Sequence, residues 1–442
     1  MLDYQRTFAL GKYLGVPLLT GRVSSATYGY IIERLQTKLA GWKSRCLSLA
    51  GRITLARSVL VSIPLYTMQS TALPSSCISK IERIIRDFIW GHSPERRGIS
   101  LMKWQDLCQP IKQGGGGLLN LAAQNKVFLM KLTFKILSQP DALWVQVLRQ
   151  KYGVTTFGEV SQRARMSPLW RNLIKLWDET LLHVKWNPGD GHLVRFWSDY
   201  WVGDHGPLKN LSFAPISGSD LQKLVAEYVN DDGSWNLNLF RHLLPTDVIS
   251  AISSTSLQES IPRSCLWVLT KNGEFTCKSA YVALESIWFT DQDKIWAKLW
   301  KLPMAQRVRT FTWLLLKGKL LTNEVRFHRN LTMDDRCFLC SGGTEHLDHV
   351  FKECGLASSV WKKILPSDLS TNFYRLHIQE WLAAGILSSE LDITWKVGIC
   401  ITCWKLWEIR NKRIFIDEIF SVDRLIANIK ALVVHTQLFF SF

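Results

Sequence analysis

The sequence predicts a mainly α-helical protein. A basic helical bundle should come first, then short strands and a linker, then a small α-rich domain around a cysteine–histidine cluster, and last a C-terminal helical segment. Three observations predict this. Apolar residues recur three and four positions apart through most of the chain, the period of one helix face. Turn residues and alternating aromatics crowd only the middle. The charge is uneven: residues 1–175 hold 25 Lys+Arg against 8 Asp+Glu, and residues 176–442 hold 29 of each, so the whole formal +17 sits in the first part.

A length of 442 residues is enough for two to four units, each able to bury a core. Boundaries are expected at 1–175 (basic helices), 176–270 (a Trp/Gly-rich strand–turn connector and linker), 271–365 (the cluster domain) and 366–442 (the C-terminal helices). No run of 18 apolar residues occurs, so no membrane span or membrane partner is expected. The opening MLDYQRTFAL lacks the charged-then-apolar pattern of a signal peptide. Outside the cluster, Cys46, Cys77, Cys108, Cys265, Cys277, Cys400 and Cys403 are scattered. That spacing argues against a secreted disulfide scaffold and for a reducing, intracellular setting.

The elements follow in order. In ATYGYIIERLQTKLAGWKSRCL, Ile31, Leu35, Leu39 and Trp42 make one apolar stripe, with Arg34, Lys38, Lys43 and Arg45 off it. In LAGRITLARSVLVSI, Ile53, Ala56, Leu60 and Ile63 should face inward and Arg52 and Arg57 outward, with Pro64 ending the helix. In SSCISKIERIIRDFIW, Ile78, Ile81, Ile85 and Phe88 share a face, and Lys80, Arg83 and Arg86 form a basic ridge on another. KQGGGGLLNL lacks the Gly-Lys-Ser/Thr ending of a phosphate loop and reads as a mobile turn. NKVFLMKLTFKILSQ is a further helix. WNPGDGHLVRFWSDYWVGDHGPL reads as strands and tight turns, and 203–262 as linker with little core of its own. A strand–turn–strand is expected around Asn272-Gly273, then a helix from Ser279. IWAKLWKLPMAQRVRTFTWLLLKGKLLTNEVRF should be two helices broken at Pro303. ITWKVGICITCWKLWEIRNKRIF should be an apolar helix with a basic end at Arg410, Lys412 and Arg413.

A charge block this one-sided favours a polyanion, because each neutralised phosphate releases counterions. Nucleic acid is the first expectation, ahead of an anionic surface or an acidic protein. The cluster is CFLCSGGTEHLDHVFKEC, residues 337–354. Cys337-x2-Cys340 can turn two thiolates toward one cation, and His349 with Cys354 supplies the rest of a tetrahedron. His346 could compete; His349 is preferred, because the shorter span puts it and Cys354 on one helical turn. Gly342 and Gly343 would permit the sharp turn. Four ligands leave no open position, so one structural Zn2+ is expected, without a catalytic role. Cys400-x2-Cys403 lies in an apolar helix and reads as two buried thiols.

Several segments resemble one known family. GKYLGVPLLTGRVS, KLAGWKSRCLSLAGRITLARSVLVSIPLYTMQ and IERIIRDFIWG look like the region after the palm of plant non-long-terminal-repeat (LINE-type) retrotransposon reverse transcriptases. GDGHLVRFWSDYWVGD is similar to a later part of the same polyproteins. GEFTCKSAYVAL, WKLPMAQRVRTFTWLLLKGKLLTNEVRF, CFLC and EHLDHVFKEC together resemble their reverse-transcriptase zinc-binding domain. WKLWEIRNKRIF resembles the stretch before their ribonuclease H domain. The resemblance implies that Cys337, Cys340, His349 and Cys354 are the zinc ligands. It also implies that the helices of 26–90 stand where the thumb grips a primer–template duplex of RNA or DNA, and that the location is nuclear.

The same resemblance places the aromatic-x-Asp-Asp turn of the palm before KYLGVPL and the ribonuclease H carboxylates after the tail. YVNDDG at 228–233 is a poor match and reads as a turn. The expectation is therefore a nucleic-acid-binding piece that is not an enzyme by itself and takes no small-molecule substrate. Its contacts would come from Lys38, Lys43, Arg45, Arg52, Arg57, Lys80, Arg83 and Arg86, largely to phosphate. A decayed retroelement relic without activity and a zinc-dependent protein-interaction scaffold are the alternatives.

Overall fold

The structure, a computed structural model, describes residues 11–440 apart from 14, 18–24, 43–45, 93–97, 156–165, 205, 258–263, 286–293, 341, 367–372, 417 and 419. The fold is mainly helical. Among the described residues the strands are two short antiparallel pairs. β1 (Lys12–Tyr13) pairs with β2 (Val16–Pro17), and β3 (Val184–Asn187) pairs with β4 (Ser264–Trp267). The chain divides into two compact units interleaved in sequence. The first gathers Met1–Ile32, Pro64–Ser79 and Leu121–Ile287; the second gathers Glu33–Ile63, Lys80–Asn120 and Trp288–Phe442.

The basic stretch forms α1 (Gly29–Ala40), α2 (Leu49–Leu55), a π turn (Ala56–Leu60), α3 (Ser62–Met68) and α4 (Ser75–Trp90). Ser48 caps α2 by accepting from the Gly51 N–H at 3.2 Å. Pro64 does not end the helix as expected. The widened π turn closes at Val61, whose N–H donates to the Ala56 carbonyl, so Pro64 falls in the first turn of α3, where a missing N–H costs nothing. Among the described residues Leu49–Met68 alone has the length and apolar composition of a bilayer span. Its burial is that of an amphipathic helix: Ala50, Ile53, Ala56 and Leu60 lie inside, Arg52 is half-buried and Arg57 is exposed.

In the first unit, α5 (Leu121–Ser138) carries the core. Its buried Asn125 is fully used: Oδ1 accepts from the Leu73 N–H, and Nδ2 donates to the Met68 and Thr71 carbonyls. The region expected as linker is part of this core. Leu208, Val225, Tyr228, Phe240, Leu244, Val248 and Ile252 are all buried in it. Tyr228 stacks on Phe196 with centroids 3.9 Å apart and accepts from the Trp197 indole at 2.8 Å. Weak periodicity hid this packing, because aromatic clusters hold it rather than a helix face. In YVNDDG, Asn230–Gly233 is an exposed turn with Gly233 at φ 83°, while Tyr228 belongs to the core. The Asn272-Gly273 turn is present, but no second strand follows it. β4 pairs instead with β3, eighty residues upstream, and Thr276 caps a helix at Cys277–Leu284.

In the second unit the glycine run is buried and packed, not a loose turn. Gly114 has φ 76°, and a β-carbon there would strike the Trp296 ring; one on Gly115 would strike the Gln109 carbonyl. The Trp313 indole donates to the Gly114 carbonyl at 2.8 Å. Lys294–Lys301 and Gln306–Leu316 are the helices on either side of Pro303. A third short helix, Asn323–His328, follows and is capped by Thr322. The long helix Ile393–Ile416 forms as expected, with Cys400 and Cys403 wholly buried and their thiols pushed up by desolvation.

Candidate metal centre

The knuckle is a local hairpin. Arg336 and Thr344 form an isolated antiparallel bridge, and the Cys337 N–H donates to the Gly343 carbonyl at 3.3 Å. Thr344 Oγ1 donates to Asp335 Oδ2 at 3.0 Å. Gly342 is needed for space: a β-carbon there would lie 3.1 Å from Cys340 Sγ. Gly343 has open room around it, and neither glycine has a positive φ.

The second half of the site lies on a π turn, His349–Glu353. Residues five apart on an α-helix point about 140° away from each other. The Cys354 N–H donates to the His349 carbonyl at 2.8 Å, and this i→i+5 closure turns both side chains to one side. The structure thus brings Cys337, Cys340, His349 and Cys354 together, with all four donor atoms within 4.8 Å of one another. Cys340 Sγ is 3.3 Å from His349 Nε2, and Cys337 Sγ is 4.0 Å from Cys354 Sγ. A tetrahedral zinc ion has sulfur–sulfur edges of about 3.8 Å and sulfur–nitrogen edges of about 3.5 Å, from its ordinary bond lengths. The donor set fits such an ion. Cys337, Cys354 and His349 are buried and Cys340 is exposed.

Cys337 and Cys354 share one hydrogen bond, which raises the Cys337 thiol and holds Cys354 below its ordinary value. His346 Nδ1 accepts from the His349 N–H at 3.2 Å, so His346 braces the turn. The Glu353 carboxylate lies 3.8 Å from His349 Nδ1 and 3.5 Å from His346 Nε2.

Residues that the sequence reading left out hold this knuckle in place. Glu345, wholly buried, faces Arg410, which is 2% exposed. Arg410 Nε lies 3.2 and 3.3 Å from the two carboxylate oxygens, and its Nη2 donates to Asn323 Oδ1 at 3.0 Å. The Asn323 N–H donates to Glu345 at 2.8 Å, and its side chain donates to the Arg336 carbonyl at 2.8 Å. Arg410 was expected as part of the basic end of its helix; the structure makes it the buried partner of the knuckle. Lys352 is buried too, donating to the Phe373 and Leu376 carbonyls, and burial pulls its amine down. No charge pattern in the sequence announces either residue, since each looks like an ordinary helix cation.

Of the cations expected to meet nucleic acid, Lys38, Arg57, Lys80 and Arg83 are exposed. Arg86 is half-buried, with its guanidinium 5.6 Å above the Trp104 ring. Arg52 is half-buried against Gly91, and desolvation lowers its pKa. Lys43 and Arg45 lie outside the described residues.

Residues 275–361 match the family described as zinc-binding in reverse transcriptase, a span that contains the four ligands. The chain is 30% identical over 430 residues to a "Putative ribonuclease H protein" of Arabidopsis thaliana, covering 93% of this chain and 68% of that protein. It is 31% identical over 157 residues to an uncharacterized mitochondrial protein of the same plant, covering 34% of this chain and all of that one. It is 27% identical over 146 residues to an uncharacterized 149 kDa transposon protein of Xenopus laevis, covering 32% of this chain and 11% of that protein. The chain belongs to the retrotransposon-type, reverse-transcriptase-related family with plant members that carries this zinc-binding domain.

Proposed function

We propose that this chain is a non-catalytic nucleic-acid-binding part of a non-long-terminal-repeat (LINE-type) retrotransposon reverse transcriptase, acting in the nucleus. In this reading the basic helices of 26–90 hold a primer–template-like duplex of RNA or DNA through its phosphates. The observation that carries the reading is the charge: the first 175 residues hold the entire +17 excess, and Lys38, Arg57, Lys80 and Arg83 present it to solvent. Exposed ammonium and guanidinium groups on rigid helices match a polyphosphate and carry no sequence information. Three sulfurs and one imidazole nitrogen suit Zn2+, and four protein ligands leave it no open position, so it would hold the knuckle and not perform chemistry.

Affinity for a labelled duplex, measured against salt, tests the reading. Four phosphate contacts imply a log–log slope of about −3.6, a loss of about 150-fold between 50 and 200 mM salt. Reversing Lys80 and Arg83 to Glu should flatten the slope. An affinity that barely changes with salt refutes it.

A further inference from the structure

The second unit holds a cavity of about 530 Å3 between its helices. Its floor is apolar, with Leu314 and Leu320 buried in it. Aromatic rings stand along its wall: Trp404 and, 70% exposed at the mouth, Phe415. Arg307 and Arg326 also line it, and among the described residues no carboxylate does. Arg410 also reaches it but is neutralised by Glu345. Arg307 and Lys405 each lie 4.7 Å from the Trp404 ring centroid, so cations already meet this ring.

We infer that this groove takes unpaired bases of a single-stranded polynucleotide, with Trp404 and Phe415 as stacking surfaces and Arg307 and Arg326 facing the adjacent phosphates. Every base has a π-face, so aromatic walls bind bases of any sequence, and flanking arginines follow the backbone. Charge complementarity selects this occupant: two arginines that face no carboxylate among the described residues favour a polyanion that also carries apolar faces. The inference deepens the nucleic-acid reading, and it adds a single-strand subsite whose aromatic rings and arginines lie in 307–415, although Ser48, Leu49 and Ala50 also line the groove.

Anisotropy of the full, metal-loaded chain with labelled 12-nucleotide single strands, RNA and DNA in separate arms, tests it beside a duplex of the same length. Phe415→Ala and Trp404→Ala should each weaken single-strand binding about 5- to 150-fold, the range for loss of one stacking ring. Duplex binding should stay within twofold. Arg307→Gln should weaken single-strand binding and lower its salt slope by about one contact. Photocrosslinks from a thio-substituted strand should fall on Trp404 or Phe415. The inference is overturned if the well-folded Phe415→Ala and Arg307→Gln variants bind single strands as the parent does. Crosslinks confined to Lys38, Arg57, Lys80 and Arg83, none of which lines the groove, also overturn it, and either result leaves the groove to an apolar protein segment. Loss of duplex binding alone, on reversing Lys80 and Arg83, would concern the phosphate grip and not this groove.

Discussion

Removing the charge on Glu345 should loosen the knuckle at its root. Glu345→Gln keeps the shape and takes away the anion facing Arg410. Both side chains are buried, at 0% and 2% exposure. The guanidinium would keep Asn323 Oδ1 and Asn411 Oδ1, but its Nε would lose a charged acceptor and the Asn323 N–H a carboxylate. Breaking one half of a buried pair costs about 3–5 kcal/mol, because the survivor is a desolvated, unpaired charge. The assay is amide hydrogen exchange, since the N–H of Asn323 reports on the pair directly and a two-unit chain does not guarantee two-state unfolding. Exchange there should rise by about 150- to 5,000-fold. The double variant Glu345→Met with Arg410→Met should recover most of the loss, since it leaves no lone charge. A Glu345→Gln change worth under about 1 kcal/mol, the value of an exposed pair, refutes the reasoning.

Three further outcomes are expected. Purified protein should contain about one zinc per chain; Cys337→Ser should lose it, and so should lowering the pH, because protons compete for the thiolates. A metal-free, equally stable parent would defeat that assignment. The Asp348 carboxylate, 2.6 Å from His377 Nδ1, raises the histidine's pKa above 6.5. Its contribution is therefore complete below the ordinary histidine value and vanishes as pH rises through the raised one. An NMR titration midpoint at or below 6.5, or one unmoved by Asp348→Asn, contradicts it. Gly115→Ala should lower stability by about 1–3 kcal/mol through collision with the Gln109 carbonyl, read as a shift in the urea midpoint; an unchanged midpoint would mean that the turn is looser than it looks.

Much of the local structure was legible because it depends on near neighbours. Ile78, Ile81, Ile85 and Phe88 recur at helical spacing, and the helix they announce runs from Ser75 to Trp90. The choice of His349 over His346 rested on its distance from Cys354. The structure gathers His349 with the three cysteines and explains the spacing by a π turn, which no periodicity rule anticipates. Pro64 was misread because the wide turn before it moves it to the first turn of a new helix.

By itself the sequence determined the helical class, the one-sided charge and the four residues of metal-ligand type, all properties of composition and short spacing. The tertiary structure decided what long-range contact alone can decide. β3 and β4 pair across eighty residues, and 203–262 folds into a core because its aromatics find partners that are distant in sequence. Arg410, one of several cations on a helix end, became the counterion of Glu345 because burial removes water and leaves a carboxylate 65 residues away as its partner.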